Sequence, residues 1–426
     1  MSGRRAAALL GLSLSLYQAG ARGEEREAAA SEVSGSLRLD GWSSTRTLDD
    51  RRGVTTLSLW MKGGAPLGRH LAVYAEGWTG YPHLGRERAV SGMLREAYVD
   101  LSLGPLAVRA GKQILVWGRA DAINPTDNLS PRDFTLLVPE DDDQRFGAAA
   151  VKAALYVGSM SLTAVWLPDF EPYVVPIPSF PPGVMARESR PSAARSLTEG
   201  AVRVEQTGLA VDWSLSYFDG YDRVPNLGVD ATATPAAPVT TFIGLFHPRI
   251  RVVGADAATV VGRYGLRAEA AYTFTADERG DEPQIRNPFL RAVLGGDRTF
   301  QEYLNLNVQY VLQVVTRFHS PLDVADPALR EVAVQGALAS NQWDRVQHGG
   351  TLRVSDKWMN ETLEAELSAA VFGPTASYLV RGKVSYAISD RWRAIAGFNW
   401  FDGVEPSPLR FLRKNSALFA EMRLAF

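Results

Sequence analysis

The chain has 426 residues, with 45 Lys plus Arg against 47 Asp plus Glu, a net charge of −2 and no cysteine. That balance excludes nucleic-acid binding through bulk charge, and a 46% hydrophobic share excludes a disordered chain. The missing cysteines exclude disulfides, thiolate metal sites, thiol nucleophiles and a lipid-modified N-terminal cysteine.

In chain order, Arg4 and Arg5 precede the apolar stretch Ala6 to Tyr17, and Ala19-Gly20-Ala21 fits the small-x-small rule of signal peptidases. This predicts a secretory signal peptide over 1–21, cleaved after Ala21. The segment 22–34 that follows is too short to fold into a plug. Mean hydropathy is −0.10, too polar for a bundle of membrane helices. The most apolar later window, Ala148 to Leu167, is broken by Lys152 and by Gly158-Ser159, short of the roughly 18 apolar residues a spanning helix needs.

Residues 35–426 read instead as strands, because their apolar residues recur with period two. Leu304, Leu306, Val308, Tyr310 and Leu312 share one face, with Asn305, Asn307 and Gln309 on the other. Leu363 to Val371 and Trp392 to Trp400 alternate in the same way. The pattern predicts strands at 35–43, 53–62, 69–79, 93–103, 106–117, 145–156, 160–168, 199–206, 208–219, 248–260, 263–275, 288–298, 303–316, 345–356, 363–373, 377–388, 391–402 and 414–426. Their joins alternate between tight turns such as Gly104-Pro105 and long loops at 118–144, 169–199, 220–247 and 317–344. Strands of about ten residues, short turns on one side and long loops on the other define a transmembrane antiparallel β-barrel. The fold class is therefore all-β, a single barrel of about 18 strands (16 if the weak strand 199–206 fails), preceded by a signal peptide. In the loop 317–344, Asp326 as N-cap and Pro327 at the first helical position predict a short helix.

Charge pairing across each hairpin predicts its register. A facing sum of 209 puts Asp100 opposite Arg109, 523 puts Asp256 opposite Arg267, and 814 puts Arg393 opposite Glu421. With the apolar faces toward lipid, the candidate pore-lining residues are Glu96, Asp100, Arg109, Gln113, Arg267, Glu269, Glu364, Glu366, Arg381, Lys383 and Arg393. The loop 118–144 is stiffened by Asn124-Pro125 and Pro131. It carries Arg119, Arg132, Asp141, Asp142 and Asp143, and is the candidate constriction. The three aspartates read as solvated carboxylates in preference to a calcium site. The chain ends Glu421-Met422-Arg423-Leu424-Ala425-Phe426, an alternating strand with a terminal aromatic. It resembles the assembly signal of bacterial outer-membrane proteins, and Phe426 is its final residue.

Gly111-Lys112-Gln113 with Trp117-Gly118, followed by Asn124-Pro125-Thr126-Asp127, resembles a pattern in uncharacterised porin-like outer-membrane proteins of Gram-negative bacteria. The resemblance implies a barrel channel. The five histidines occupy no hydrolase-like motif, and no Walker loop, dinucleotide fingerprint or His-Glu-x-x-His occurs, so no enzyme, cofactor, metal or catalytic residue is expected. The expected function is passive diffusion of small solutes across the bacterial outer membrane. The alternative is a closed-lumen barrel partnering a transporter in export of lipid or hydrophobic compounds. Expected partners are outer-membrane lipid and lipopolysaccharide, the barrel-assembly machinery reading the C-terminal strand, and small solutes, with no nucleic acid.

Overall fold

The computed structural model describes residues 32–44, 52–81, 90–175, 184–229, 241–374, 376–405 and 407–426. The expected signal peptide, and 22–31 of the short segment after it, lie outside the described residues.

Eighteen strands form one closed antiparallel sheet. They are β1 (Glu32–Ser44), β2 (Gly53–Pro66), β3 (Leu71–Tyr81), β4 (Ser91–Leu103), β5 (Leu106–Gln113), β6 (Ala148–Val157), β7 (Met160–Leu167), β9 (Glu199–Gln206), β10 (Val211–Tyr221), β13 (Arg249–Val261), β14 (Tyr264–Phe274), β15 (Phe289–Phe300), β16 (Leu304–Val315), β17 (Val346–Trp358), β18 (Leu363–Gly373), β19 (Ser377–Ala387), β20 (Trp392–Gly403) and β21 (Ala417–Ala425). Every expected strand occurs, including 199–206. The last strand pairs with the first, Ser36 opposite Ala425, and Gly35 and Phe426 exchange backbone bonds of 2.9 and 3.0 Å. The barrel therefore has no free edge.

The alternation arises because one face of each strand meets hydrocarbon. Leu294, Val308, Tyr310, Leu367 and Trp400 all point outward and are exposed, and exposed apolar side chains run round the outside. A closed sheet satisfies its own backbone, which is what lets such a surface lie in lipid.

The short joins share one end of the barrel. There Gly104 and Gly262, at φ of 58° and 64°, open two-residue turns, as tight hairpins require. Around the first, Asp100 faces Arg109 as expected. Around the second, Val261 faces Tyr264, so the sum is 525 and Asp256 faces Glu269. Arg393 faces Arg423, a sum of 816, in place of Glu421. At Gly262 the two-residue turn sets the register; β20 and β21 are joined by the long segment 404–416, and there Arg423 takes Glu421 as its partner at 2.6 Å.

At the other end, a three-stranded sheet forms within the long loops. Its strands β8 (Val184–Ser189) and β11 (Asn226–Val229) flank β12 (Thr241–Phe246). The expected helix is present as Pro327–Ala339, with Leu329 N–H donating to Asp326 at 3.0 Å. It packs on this small sheet through Val332 and Ala339.

Two departures from simple alternation position the interior. The strand β5 stops at Gln113 and β6 starts at Ala148, so the loop runs 114–147 and not 118–144. Ile114 N–H is taken at 2.7 Å by the carboxylate of Glu96, which leaves the ladder with no part in it. Between β3 and β4, Glu76 faces Glu96 while Gly77 faces Leu94. Arg95 is thus the extra residue of a β-bulge, which turns it inward beside Glu96.

Candidate functional site

The inward face has two zones. Toward the turns it carries charged side chains, among them Arg109, Arg267 and Glu364. Toward the long loops it carries apolar side chains interspersed with buried polar ones such as Gln309 and Gln313, and the loop 114–147 packs on it inside the barrel. Leu115, Trp117 and Leu129 bury against Ala148, Ala150, Leu167, Phe218 and Val252. Ala120 and Ile123 join Val293, Val311, Ala370 and Phe372. Leu137 packs on Trp42, Ile395 and Phe419. The strands contributing to these clusters lie all the way round the wall, so the loop crosses the lumen and touches most of its circumference. Burial of large apolar side chains such as Leu129, fully covered, contributes roughly 1.5–3 kcal/mol each.

Polar contacts fix its position. The Glu269 carboxylate, covered by the loop, accepts from Arg119 N–H at 2.9 Å, Ala120 N–H at 3.0 Å, Thr126 N–H at 2.8 Å and the Thr126 hydroxyl at 2.8 Å. Gly118 permits this with a φ of 100°, and a Cβ there would lie 2.5 Å from a Glu269 oxygen. Arg119 reaches Asp256 at 2.7 Å and Glu205 at 2.5 Å. Asp121 accepts from Arg267 at 2.8 Å and Asn307 at 2.7 Å, and burial pushes its carboxyl above the usual carboxylate range while Arg267 opposes this.

The second half of the loop is held by ion pairs. Glu140 meets Lys383 at 2.8 Å, Asp141 meets Arg381, and Asp143 meets Arg38 at 2.6 Å. Arg95 donates to Glu76, to the Arg145 carbonyl at 2.9 Å and to the Asp142 carbonyl at 2.7 Å. Between Pro139–Asp141 and the wall lies a cleft of about 440 Å³, including solvent at its mouth, lined by Arg353, Glu366, Arg381, Lys383 and Asn399. Arg353 pairs with Glu366 at 2.8 Å.

The predicted residues therefore divide. Glu366, Arg381 and Lys383 line the cleft with Asp141. Asp100 and Arg109 pair at 2.8 Å on the wall. Glu364 and Arg393 face inward near the turns, Arg393 donating to Ser385 at 3.3 Å. Gln113 and Glu269 face inward too, but both are buried under protein; Glu269 holds the loop, whereas Gln113 donates to the Ala150 carbonyl of β6 at 3.0 Å. Arg132 lies against Asp127 at 3.7 Å, and burial depresses its basicity, with the neighbouring Arg145 charge adding to the effect. Asp142 keeps a side chain 46% exposed, 3.6 Å from Arg145. Sequence reasoning missed Arg38, Arg95 and Arg353. Arg38 and Arg353 sit in the period-two pattern on the inward face and were recoverable; Arg95 was hidden by the bulge.

A closed barrel, lipid-facing outside and with a polar and loop-filled interior, is a porin-like outer-membrane β-barrel. The family model described as Protein of unknown function (DUF1302) matches residues 77–303, more than half of the chain, and the chain belongs to that family. No curated protein matches it. Among solved structures it is similar to a loop-deletion mutant of OmpT, an outer membrane protein of Vibrio cholerae (10% identity, 94% of this chain and 100% of that one, TM-score 0.44). It is also similar to the outer membrane channel DcaP of Acinetobacter baumannii (11% identity, 94% and 99%, TM-score 0.44). A triple mutant of the Rh. blastica porin is similar at 11% identity, 93% and 100% coverage and a TM-score of 0.41.

Proposed function

We propose that the protein is a channel for passive diffusion of small solutes, with the loop 114–147 as its constriction. The observation that carries this reading is the cleft between Pro139–Asp141 and the wall, where Glu140, Asp141 and Glu366 confront Arg353, Arg381 and Lys383. Opposite charges across a narrow aqueous passage select by size and charge. In this reading Phe426 and its strand address the chain to the barrel-assembly machinery, and outer-membrane lipid and lipopolysaccharide surround it.

A second reading is favoured by the density of the ion pairs. Arg119 with Asp256 and Glu205, Arg267 with Asp121, and Arg381 with Asp141 bridge loop and wall. A lumen locked in this way belongs to a closed barrel partnering a transporter of lipids or hydrophobic compounds. Single-channel recording of the refolded protein in a planar bilayer separates the two. Steady unitary steps support the channel, whereas a heat-modifiable, folded barrel without conductance supports the closed partner.

A further inference from the structure

His247 lies in the two-residue join between β12 and β13, where the small loop sheet meets the barrel. Across that join Asp222 N–H donates to the Pro248 carbonyl at 2.9 Å. The edge strand β8, which belongs to the loop after β7, pairs in parallel with β12. Its Glu188 reaches back to His247. The His247 side chain is fully covered, whereas that of Glu188 is 32% exposed.

The ring contacts fix where the hydrogens lie. His247 Nδ1 stands 2.7 Å from the Asp222 carbonyl oxygen. A carbonyl oxygen only accepts, so Nδ1 carries the hydrogen. Nε2 stands 3.4 Å from a Glu188 carboxylate oxygen. In the neutral ring that nitrogen is a bare acceptor facing another acceptor, and no hydrogen bond joins them. Protonation places an N–H there, and the contact becomes a charge-assisted hydrogen bond.

The other charged groups around the ring are engaged elsewhere. On the β8 side, Arg190 donates to the second Glu188 oxygen at 2.9 Å, which leaves the first for His247. After β10, Asp222 pairs with Arg286. Arg223 donates to the carbonyls of Asn128 and Glu171 at 3.1 and 2.7 Å, with Glu199 3.9 Å away. On β13, Arg249 pairs with Asp219 at 2.7 Å. In the loop after β7, Asp169 accepts from Phe170 N–H at 3.0 Å. The Phe170 ring lies 4.9 Å from the imidazole and edge-on to Tyr221. Among the described residues, Glu188 is the acid that meets Nε2.

We propose that His247 and Glu188 form a pH-sensitive latch. It clasps the edge strand β8 to the barrel rim while the imidazole is protonated and loosens as the imidazole becomes neutral. Imidazole is the side chain whose charge changes between about pH 5 and about pH 8, so the latch tightens on acidification. It acts on the loop sheet whether or not the lumen conducts.

The test is hydrogen–deuterium exchange of β8 in the refolded protein at about pH 5.5 and about pH 8, each rate divided by that of the unstructured peptide at the same pH. After this correction native β8 is expected to exchange roughly fivefold more slowly at the acid pH, as one hydrogen bond gained at an edge strand would give. Glu188→Gln brings an amide N–H that donates to the neutral Nε2, so its protection should persist at the alkaline pH. His247→Phe should hold β8 weakly at both pH values. Protection of native β8 that does not change with pH, or a native-like pH dependence in Glu188→Gln, overturns the latch. Should His247→Phe fail to fold, the comparison of native protein with Glu188→Gln still decides.

Discussion

Replacing Glu269 with alanine removes one carboxylate and the acceptor of four donors at 2.8–3.0 Å. A hydrogen bond to a charged group contributes about 1.5–3 kcal/mol, so the four together contribute at most roughly 6–12 kcal/mol before the cost of burying the whole carboxylate is set against them. Keeping an ionised carboxylate buried costs several kcal/mol in return, which leaves a net anchor of about 2–5 kcal/mol. Each 1.4 kcal/mol is tenfold, so release of the loop should rise by roughly 30-fold to several thousand-fold. The barrel itself should survive, because its ladders do not use this side chain. Glu269→Gln keeps an oxygen acceptor and should lie between the native protein and Glu269→Ala. The assay is limited trypsin digestion of the refolded barrel, read by cleavage after Arg119 and Arg132, with single-channel noise as a second readout. Native protein should resist at both sites. If Glu269→Ala stays as resistant and as quiet as native, the carboxylate does not anchor the loop.

Gly118→Ala should reproduce this behaviour, since its Cβ would sit 2.5 Å from a Glu269 oxygen at a φ of 100°; native-like protease resistance would contradict the close approach. Arg95→Ala breaks a buried pair with Glu76 and frees two loop carbonyls, for a loss of about 3–5 kcal/mol that urea unfolding of the refolded barrel would register. Asp121 gives a pH dependence. Its carboxyl is raised by burial in the docked loop, so docking takes up a proton. That contribution is full below the ordinary aspartate value of about 4 and is lost as pH rises through the raised value. Opening events should therefore be rarer at acid pH than at neutral pH in single-channel records, and Asp121→Asn should flatten the difference.

The barrel was legible because lipid on one side imposes alternation, and Leu304 to Tyr310 shows it without exception. The Asp100–Arg109 register was legible because a two-residue turn around Gly104 allows only one sum. The other two sums failed because charge pairing was allowed to choose the register, whereas the turn at Gly262 chooses it physically. The lumen was harder to read. Val311, Ala370 and Phe372 are inward yet apolar because the loop covers them, and nothing local distinguishes such a position from one facing lipid. Glu269 looked like a pore charge, but its partners are backbone N–H groups 143–150 residues away in sequence, which carry no side-chain signature. Arg95 was missed because one bulge residue reverses the parity of a strand.

The proposed constriction is the charged loop 114–147 in a conducting lumen. Its most direct test is the reversal potential of single channels under a salt gradient, native against the triple variant Asp141→Asn, Asp142→Asn, Asp143→Asn. The variant leaves Arg381 and Arg38 without their loop carboxylates, so selectivity should move toward anions while conductance persists. An unchanged reversal potential, or a folded native barrel that carries no current, would contradict the account.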